Sequence, residues 1–187
     1  MDRRTPTLGK DPTGFVPGPI YRFLAADHVR LDHLLRQAVA RASEIDPVPF
    51  AEFRKGLLKH IGMEEKILLP AARRPRGGEA LPVAAKLRLD HGALAALLVP
   101  TPTARIIAAI RCILEKHNGL EEGPDGVYAA CDLLLGDEAE AILARLRSAP
   151  EVPVNPHVDK PLVFDAARRA LDRAGYDFDI APEIAAR

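Results

Sequence analysis

Two stretches of the chain are variations on one pattern: LLKHIGMEEKILLPAAR at residues 57–73 and LEKHNGLEEGPDGVYAACD at residues 114–132. Both contain a His-x-x-x-Glu-Glu core, at His60, Glu64 and Glu65 and at His117, Glu121 and Glu122, and the second copy adds GPDG as a short insertion. A smaller pair precedes them, DHVRL at 27–31 and DHGAL at 90–94. Self-similarity of this kind builds two equivalent half-sites, each with one lone His and one His plus Glu. On an α-helix, residues i and i+4 share a face one turn apart, so His60 with Glu64 and His117 with Glu121 can each reach a single inward point. Glu65 and Glu122, one residue on, are turned away by about 100° and are expected in solvent or behind the inward groups.

Working outward, the apolar seams at spacings of three and four run Leu24, His28, Leu31, Leu35, Ala38; then Phe53, Leu57, His60, Glu64, Ile67, Ala71; then Ala84, Leu87, His91, Leu94, Leu98; then Ile107, Ile110, Leu114, His117, Glu121. Each seam is aliphatic or aromatic except at the four histidines and two glutamates. Prolines punctuate the chain between these seams. Expected helices cover Ile20 to about Ser43, Asp46 (as N-cap) to about Arg74, Leu81–Val99, Thr103 (as N-cap) to Glu122, Val127–Leu135, Asp137–Arg147 and Leu162 to about Ala174. No stretch alternates as a strand does. The fold class is all-α, most simply an antiparallel up-down four-helix bundle with additional C-terminal helices. The expected divisions are an N-terminal tail at 1–19, the bundle with its extension at 20–149, a Pro-rich linker at 150–161, and a short amphipathic helix and tail at 162–187.

Composition narrows the function. The 187 residues are 48% hydrophobic and 28% charged, close to an ordinary globular chain, and 26 basic residues balance 26 acidic ones. No net positive field attracts nucleic acid or an anionic membrane. The longest apolar run, Ala93–Val99, falls far below the roughly 20 residues of a membrane span, and the N-terminus lacks the apolar core of a secretory signal. A cytoplasmic protein with no nucleic-acid or membrane partner is expected. Cys112 and Cys131 have no CxxC spacing and are expected reduced.

Two carboxylates and four imidazoles inside one apolar core call for pairing, protonation or a metal ion, because an uncompensated buried carboxylate is costly. Imidazole and carboxylate ligands suit iron, and suit zinc and manganese as well. The alternative is a metal-free bundle with satisfied internal hydrogen bonds.

At AADHVRL, HIGMEEKILLP (60–70), LDHGAL (89–94) and HNGLEE (117–122) the sequence resembles the hemerythrin-like, or HHE cation-binding, domain family over about residues 20–135. The resemblance implies a four-helix bundle holding two iron ions with an oxo or hydroxo bridge, His28, His60, His91 and His117 as terminal ligands, and Glu64 and Glu121 as bridges. Two departures stand out. Oxygen-carrying members have HxxxH on the third helix, where this chain has Ala95 four residues after His91, and they place a carboxylate five residues after the last His, which would select Glu122 in place of Glu121. Without the fifth His both irons keep room for water or an exogenous ligand, which suits sensing or peroxide handling better than carriage.

Of the remaining residues, His33 lies on a polar face, His157 sits among prolines as an incidental histidine, and Asp27 and Asp90 are expected as exposed helical residues, with orientation of the neighbouring imidazoles as the alternative. Tyr21 continues the first seam, either as a core tyrosine near the bundle end or as a donor above the metal pocket. Arg73, Arg74 and Arg76 read as ordinary partners of a helix C-terminus. Phe164, Ala167 and Leu171 form an apolar face that can pack on the bundle or make a homodimer through the C-terminal helix. The expected function is non-haem di-iron binding with dioxygen, nitric oxide or peroxide as small ligands, binding or sensing them or handling iron, more a binding protein than a dedicated enzyme. Two other readings stand: a di-iron enzyme consuming peroxide or oxygen, and a structural or adaptor bundle with zinc or no metal.

Overall fold

The structure, a computed structural model, describes residues 15–41 and 44–180. These are all-helical, with eight α-helices: α1 (Pro19–Ala38), α2 (Pro47–Met63), α3 (Leu69–Arg73), α4 (Ala84–Leu97), α5 (Ala104–Glu122), α6 (Val127–Leu135), α7 (Ala139–Arg147) and α8 (Pro161–Ala174). No strand occurs among the described residues, where β-type pairing is confined to an isolated bridge between Arg41 and Glu44.

The helix boundaries follow local chemistry. Asp46 caps α2 by accepting from Val48 N–H at 3.0 Å, and Thr103 caps α5 by accepting from Ile106 N–H at 3.3 Å. α1 starts at Gly18-Pro19 without a local side-chain cap; the carboxylate of Asp132, on α6, accepts from Ile20 N–H and Tyr21 N–H at 3.0 Å each. Glycine at position 18 makes this possible, since a Cβ there would stand 2.2 Å from Asp132 Cγ. α1 ends at Ala38, the last residue of its apolar seam and short of the expected end near Ser43, where Asp46 N–H takes the Ala38 carbonyl at 2.8 Å and turns the chain into α2. Ser43, the expected end, lies outside the described residues, as does most of the 1–19 tail.

The second seam is not one regular helix. Between α2 and α3 the turn over Glu64–Leu68 is π-helical, with Leu69 N–H reaching back five residues to the Glu64 carbonyl. Pro70 explains it: with no N–H to give the Lys66 carbonyl and a ring that crowds that carbonyl, proline widens the preceding turn. The widened turn falls on the first Glu-Glu pair.

The core divides into two apolar clusters. One gathers Leu31, Leu35, Phe50, Phe53, Leu57, Leu94, Leu97, Ile106, Ile110 and Ile113; the other gathers Ile20, Leu24, Met63, Leu68, Leu87, Val127, Tyr128, Cys131 and Ile142. Along α1, Leu24 is in the second cluster and Leu31 in the first, with His28 between them; α4 repeats this order through Leu87, His91 and Leu94. α2 runs oppositely, through Leu57, His60 and Met63, and α5 enters its polar residues from Ile113. The four histidine-bearing helices therefore cross one polar layer in alternating directions.

The C-terminal stretch closes onto this body. Residues 150–160 form no regular secondary structure and are held by Arg54 Nη1–H to the Asn155 carbonyl (2.7 Å), Val158 N–H to the Val99 carbonyl (3.1 Å) and Asp159 on Thr101 (2.7 Å). α8 packs along α4, burying Phe164, Ala167 and Leu171, so of the two places open to this apolar face the chain's own bundle takes it. No helix among the described residues is long and apolar enough to cross a membrane.

Candidate metal centre

Among the described residues eight polar or charged ones are buried, and six of them are His28, His60, Glu64, His91, His117 and Glu121, none more than 6% exposed. The i, i+4 pairs predicted to share a face do so: His60 Nε2 stands 3.4 Å from Glu64 Oε1, and His117 Nε2 3.1 Å from Glu121 Oε1. The lone histidines complete the set crosswise, with His28 Nε2 3.5 Å from Glu121 Oε2 and His91 Nε2 3.1 Å from Glu64 Oε2. Two overlapping groups result, His28–His60–Glu64–Glu121 and Glu64–His91–His117–Glu121, each with its ligand-type atoms within 4.8 Å of one another. Both carboxylates belong to both groups, one oxygen to each.

Behind each ring stands a further carboxylate. His28 Nδ1–H donates to Glu122 Oε1 (2.5 Å), His60 Nδ1–H to Asp27 Oδ2 (2.9 Å) and His91 Nδ1–H to Glu65 Oε1 (2.9 Å), while His117 Nδ1 lies 3.5 Å from Asp90 Oδ2. An acceptor at Nδ1 fixes the tautomer and turns Nε2 inward. The expectation of exposed aspartates is thus corrected: Asp90 is fully buried and bonded by Lys86 Nζ–H (2.5 Å), and Asp27 is half-buried between His60 and Arg30. The choice between Glu121 and Glu122 has a geometric answer, since Glu121 is fully buried facing Nε2 atoms and Glu122 backs the His28 ring.

One residue of the cluster escaped the sequence reading. Tyr128, at the start of α6, is fully buried, and its hydroxyl donates to Glu64 Oε1 (2.6 Å) and also stands 3.1 Å from Glu121 Oε2 and 3.2 Å from both His28 Nε2 and His60 Nε2. The signal was faint: steps of three and four from Glu121 lead through Pro124 to Tyr128, continuing the fourth seam, but the helix breaks at Gly123 and the register carries no authority across the break. Tyr21 is one layer further out. Its hydroxyl donates to the Glu122 carbonyl (2.6 Å) and its ring meets Tyr128 edge-on at 6.1 Å. His33 is exposed, and His157 lies against Phe50 and the Val99 carbonyl, both away from the cluster. Cys112 and Cys131 are free thiols, and burial pushes the Cys131 thiol up to about 12, so it is no nucleophile.

Electrostatically the cluster holds itself together by sharing protons. Burial alone would lower His60, but the Glu64 charge and hydrogen bonds to Asp27 and Glu64 raise it to about 10; His117 is likewise lowered by burial and raised by Asp90 and Glu121, to about 9. Burial tends to raise Glu64, yet His60 and His91 hold it well below the ordinary range, whereas burial and the Glu64 charge raise Glu121. Tyr128 is raised well above its ordinary value by burial and both glutamates. The arrangement remains incompletely satisfied: Glu64 Oε2, Glu121 Oε1, His117 Nδ1 and Asp90 Oδ2 are buried without a hydrogen-bond partner. Orphaned carboxylate oxygens are rare in native cores. A cation with nitrogen and oxygen ligands at about 2.1 Å sets neighbouring ligand atoms about 3.0–3.4 Å apart by simple geometry, which matches the inward N···O separations. The donor set therefore fits a metal ion, and these buried His and Glu groups could hold one.

Comparison of the chain with protein-family models, with curated proteins and with solved structures gives no match.

Proposed function

We propose that this is a dinuclear metal-binding protein of the hemerythrin-like kind, in which α1, α2 with α3, α4 and α5 form the antiparallel four-helix bundle and iron is the metal. The observation that carries the reading is the sharing of both carboxylates between two buried ligand groups: an ion on either side leaves the second oxygen of Glu64 and of Glu121 facing the other position. His28 and His60 are the terminal ligands of one ion, His91 and His117 of the other. Iron so held supplies binding of dioxygen, nitric oxide or peroxide and a reversible change of oxidation state. The chain's own residues orient the imidazoles through Glu122, Asp27, Glu65 and Asp90 and keep the six inward side chains at most 6% exposed. The physiological act we propose is the binding or sensing of a small ligand, or the handling of iron.

A second reading, a peroxide- or oxygen-consuming enzyme, draws on one specific feature, the buried Tyr128 phenol among the ligands. Sustained peroxide turnover that disappears in His60→Ala would favour it. The primary test is metal content per chain after production in iron-supplemented medium, with absorption spectra before and after anaerobic reduction and on return to air. Two irons per chain and a band that bleaches and returns are expected, with both lost in the Glu64→Gln/Glu121→Gln double variant. No iron, or zinc with a featureless spectrum, would leave the helical fold standing and move the function to a structural or adaptor role.

A further inference from the structure

The two halves of the cluster are built from matching repeats, yet they are not equal. Around His28 and His60 there is a fifth polar atom, the Tyr128 hydroxyl, within 2.6–3.2 Å of all four ligand-type atoms of that group. Around His91 and His117 no such atom occurs among the described residues; the two Nε2 atoms there face each other at 3.1 Å. In the aligned repeats, LPAAR at 69–73 stands against VYAAC at 127–131, so Pro70 occupies the place of Tyr128 and the first copy offers no phenol.

The separations say what the phenol is placed to do. Ligand atoms that share one ion lie about 3 Å from their neighbours in the shell. An oxygen at that distance from two imidazole nitrogens and two carboxylate oxygens sits where the next vertex of the same shell lies. A phenol that merely closed a hydrogen-bond gap would need one acceptor; this one is set among four. Its position is also enforced. α6 is anchored from one side by Asp132 on the α1 N-terminus and, through Gly126, pressed against the end of α5, where a Cβ would come within 2.5 Å of the Glu121 carbonyl oxygen. The Tyr21 ring backs the Tyr128 ring.

We propose that Tyr128 is a protein ligand, through its phenol oxygen, to the ion held by His28 and His60 and to that ion alone. The inference rests on the reading of the cluster as a dinuclear metal centre and deepens it. Coordination replaces the O–H bond by an O–metal bond and releases one proton to solvent. The His28–His60 ion then has five protein ligands, and the His91–His117 ion four. The two positions cease to be equivalent: the one without the tyrosine is the more open to a small exogenous ligand, in place of the two equally open ions that the ligand count alone implied.

The experiment uses the full chain, stripped of metal, loaded anaerobically with ferrous iron and oxidised in air. Wild type should show a visible phenolate-to-iron(III) charge-transfer band and, on excitation within it, phenolate ring modes in the resonance Raman spectrum that shift when the protein is made with ring-deuterated tyrosine. Tyr128→Phe should abolish band and modes and weaken the binding of one of the two ions at least about tenfold, leaving the other unchanged. Tyr21→Phe should retain them. Because the isotope shift needs no substitution, it decides the matter even where Tyr128→Phe fails to fold. Two irons per chain without phenolate modes, or a band that survives in Tyr128→Phe, would overturn the assignment of Tyr128 and leave the dinuclear centre intact. Absence of bound iron in wild type would overturn the centre, and the assignment with it.

Discussion

Metal uptake by this cluster must displace protons, and the structure says how many. An imidazole binds a metal only through a deprotonated nitrogen, so affinity falls wherever a proton holds that place. In the metal-free chain His60 is held at about 10 and His117 at about 9, one in each half of the cluster. At pH 7 the competition therefore weakens binding about 1000-fold on the His28–His60 side and about 100-fold on the His91–His117 side, near 7 kcal/mol together at about 1.4 kcal/mol per unit. Counting these two histidines alone, each dissociation constant should fall about tenfold between pH 7 and 8 and the product of the two about 100-fold; the proton that Tyr128 gives up on coordination makes the His28–His60 side steeper still. The assay is calorimetric titration of the metal-free protein with zinc at pH 7 and pH 8, repeated in buffers of different ionisation enthalpy so that released protons are counted directly. Two protons per two ions is the floor, since the raised Glu121 carboxyl and the Tyr128 phenol can only add to it. Clearly fewer than two protons released, or affinities independent of pH, would refute the account of how the buried charges are balanced. The same values fix a second readout. A histidine whose folded value lies above its ordinary 6.5 stabilises the fold fully below 6.5 and ceases to do so as pH rises through about 9–10. The metal-free melting temperature should fall across that window.

Two further substitutions separate orientation from ligation and fold from site. Asp90→Asn and Asp27→Asn leave every inward atom in place while weakening the acceptor behind His117 or His60; each should lower metal affinity about 10–100-fold with metal stoichiometry kept, measured by competition with a chelator. Asp132→Ala removes the cap that α6 lends to α1, and Gly18→Ala displaces the same carboxylate sterically. Each should cost about 1–2 kcal/mol, a fall in melting temperature of about 3–6 °C by calorimetry, and an unchanged melting temperature would remove Asp132 from the account of how α1 begins.

Much of the cluster was legible because a helix converts spacing into direction. The polar interruptions at His28, His60, Glu64, His91, His117 and Glu121 fell on seams otherwise apolar, and the structure buries all six together. The caps at Asp46 and Thr103 were legible for the same local reason. What the sequence left open or missed depends on contacts far apart in the chain. Asp27, Glu65, Asp90 and Glu122 lie one position off the seams, where single-helix geometry points them away from the core, yet a neighbouring helix supplies each with a histidine ring. Tyr128 lies beyond a helix break, and no periodicity survives a turn whose path is set by Gly126 against the Glu121 carbonyl. The early end of α1 belongs to the same class, being fixed by Asp46 reaching the Ala38 carbonyl.

The energetics of the polar layer argue for its function. Four imidazoles and two carboxylates in place of well-packed apolar side chains bring no stability that leucine would not match, since buried ion pairs seldom recover their desolvation cost. Here even the pairing is incomplete, with Glu64 Oε2 and Glu121 Oε1 lacking any hydrogen-bond partner. A core selected for stability alone would close those gaps, and the two apolar clusters on either side show that this chain can pack one. The unsatisfied oxygens point inward, one toward His91 and one toward His117, on the side where Tyr128 contributes nothing. That side is the less complete half of the cluster without a cation. It is therefore where an ion has most to satisfy and, once bound, where it has fewest protein ligands.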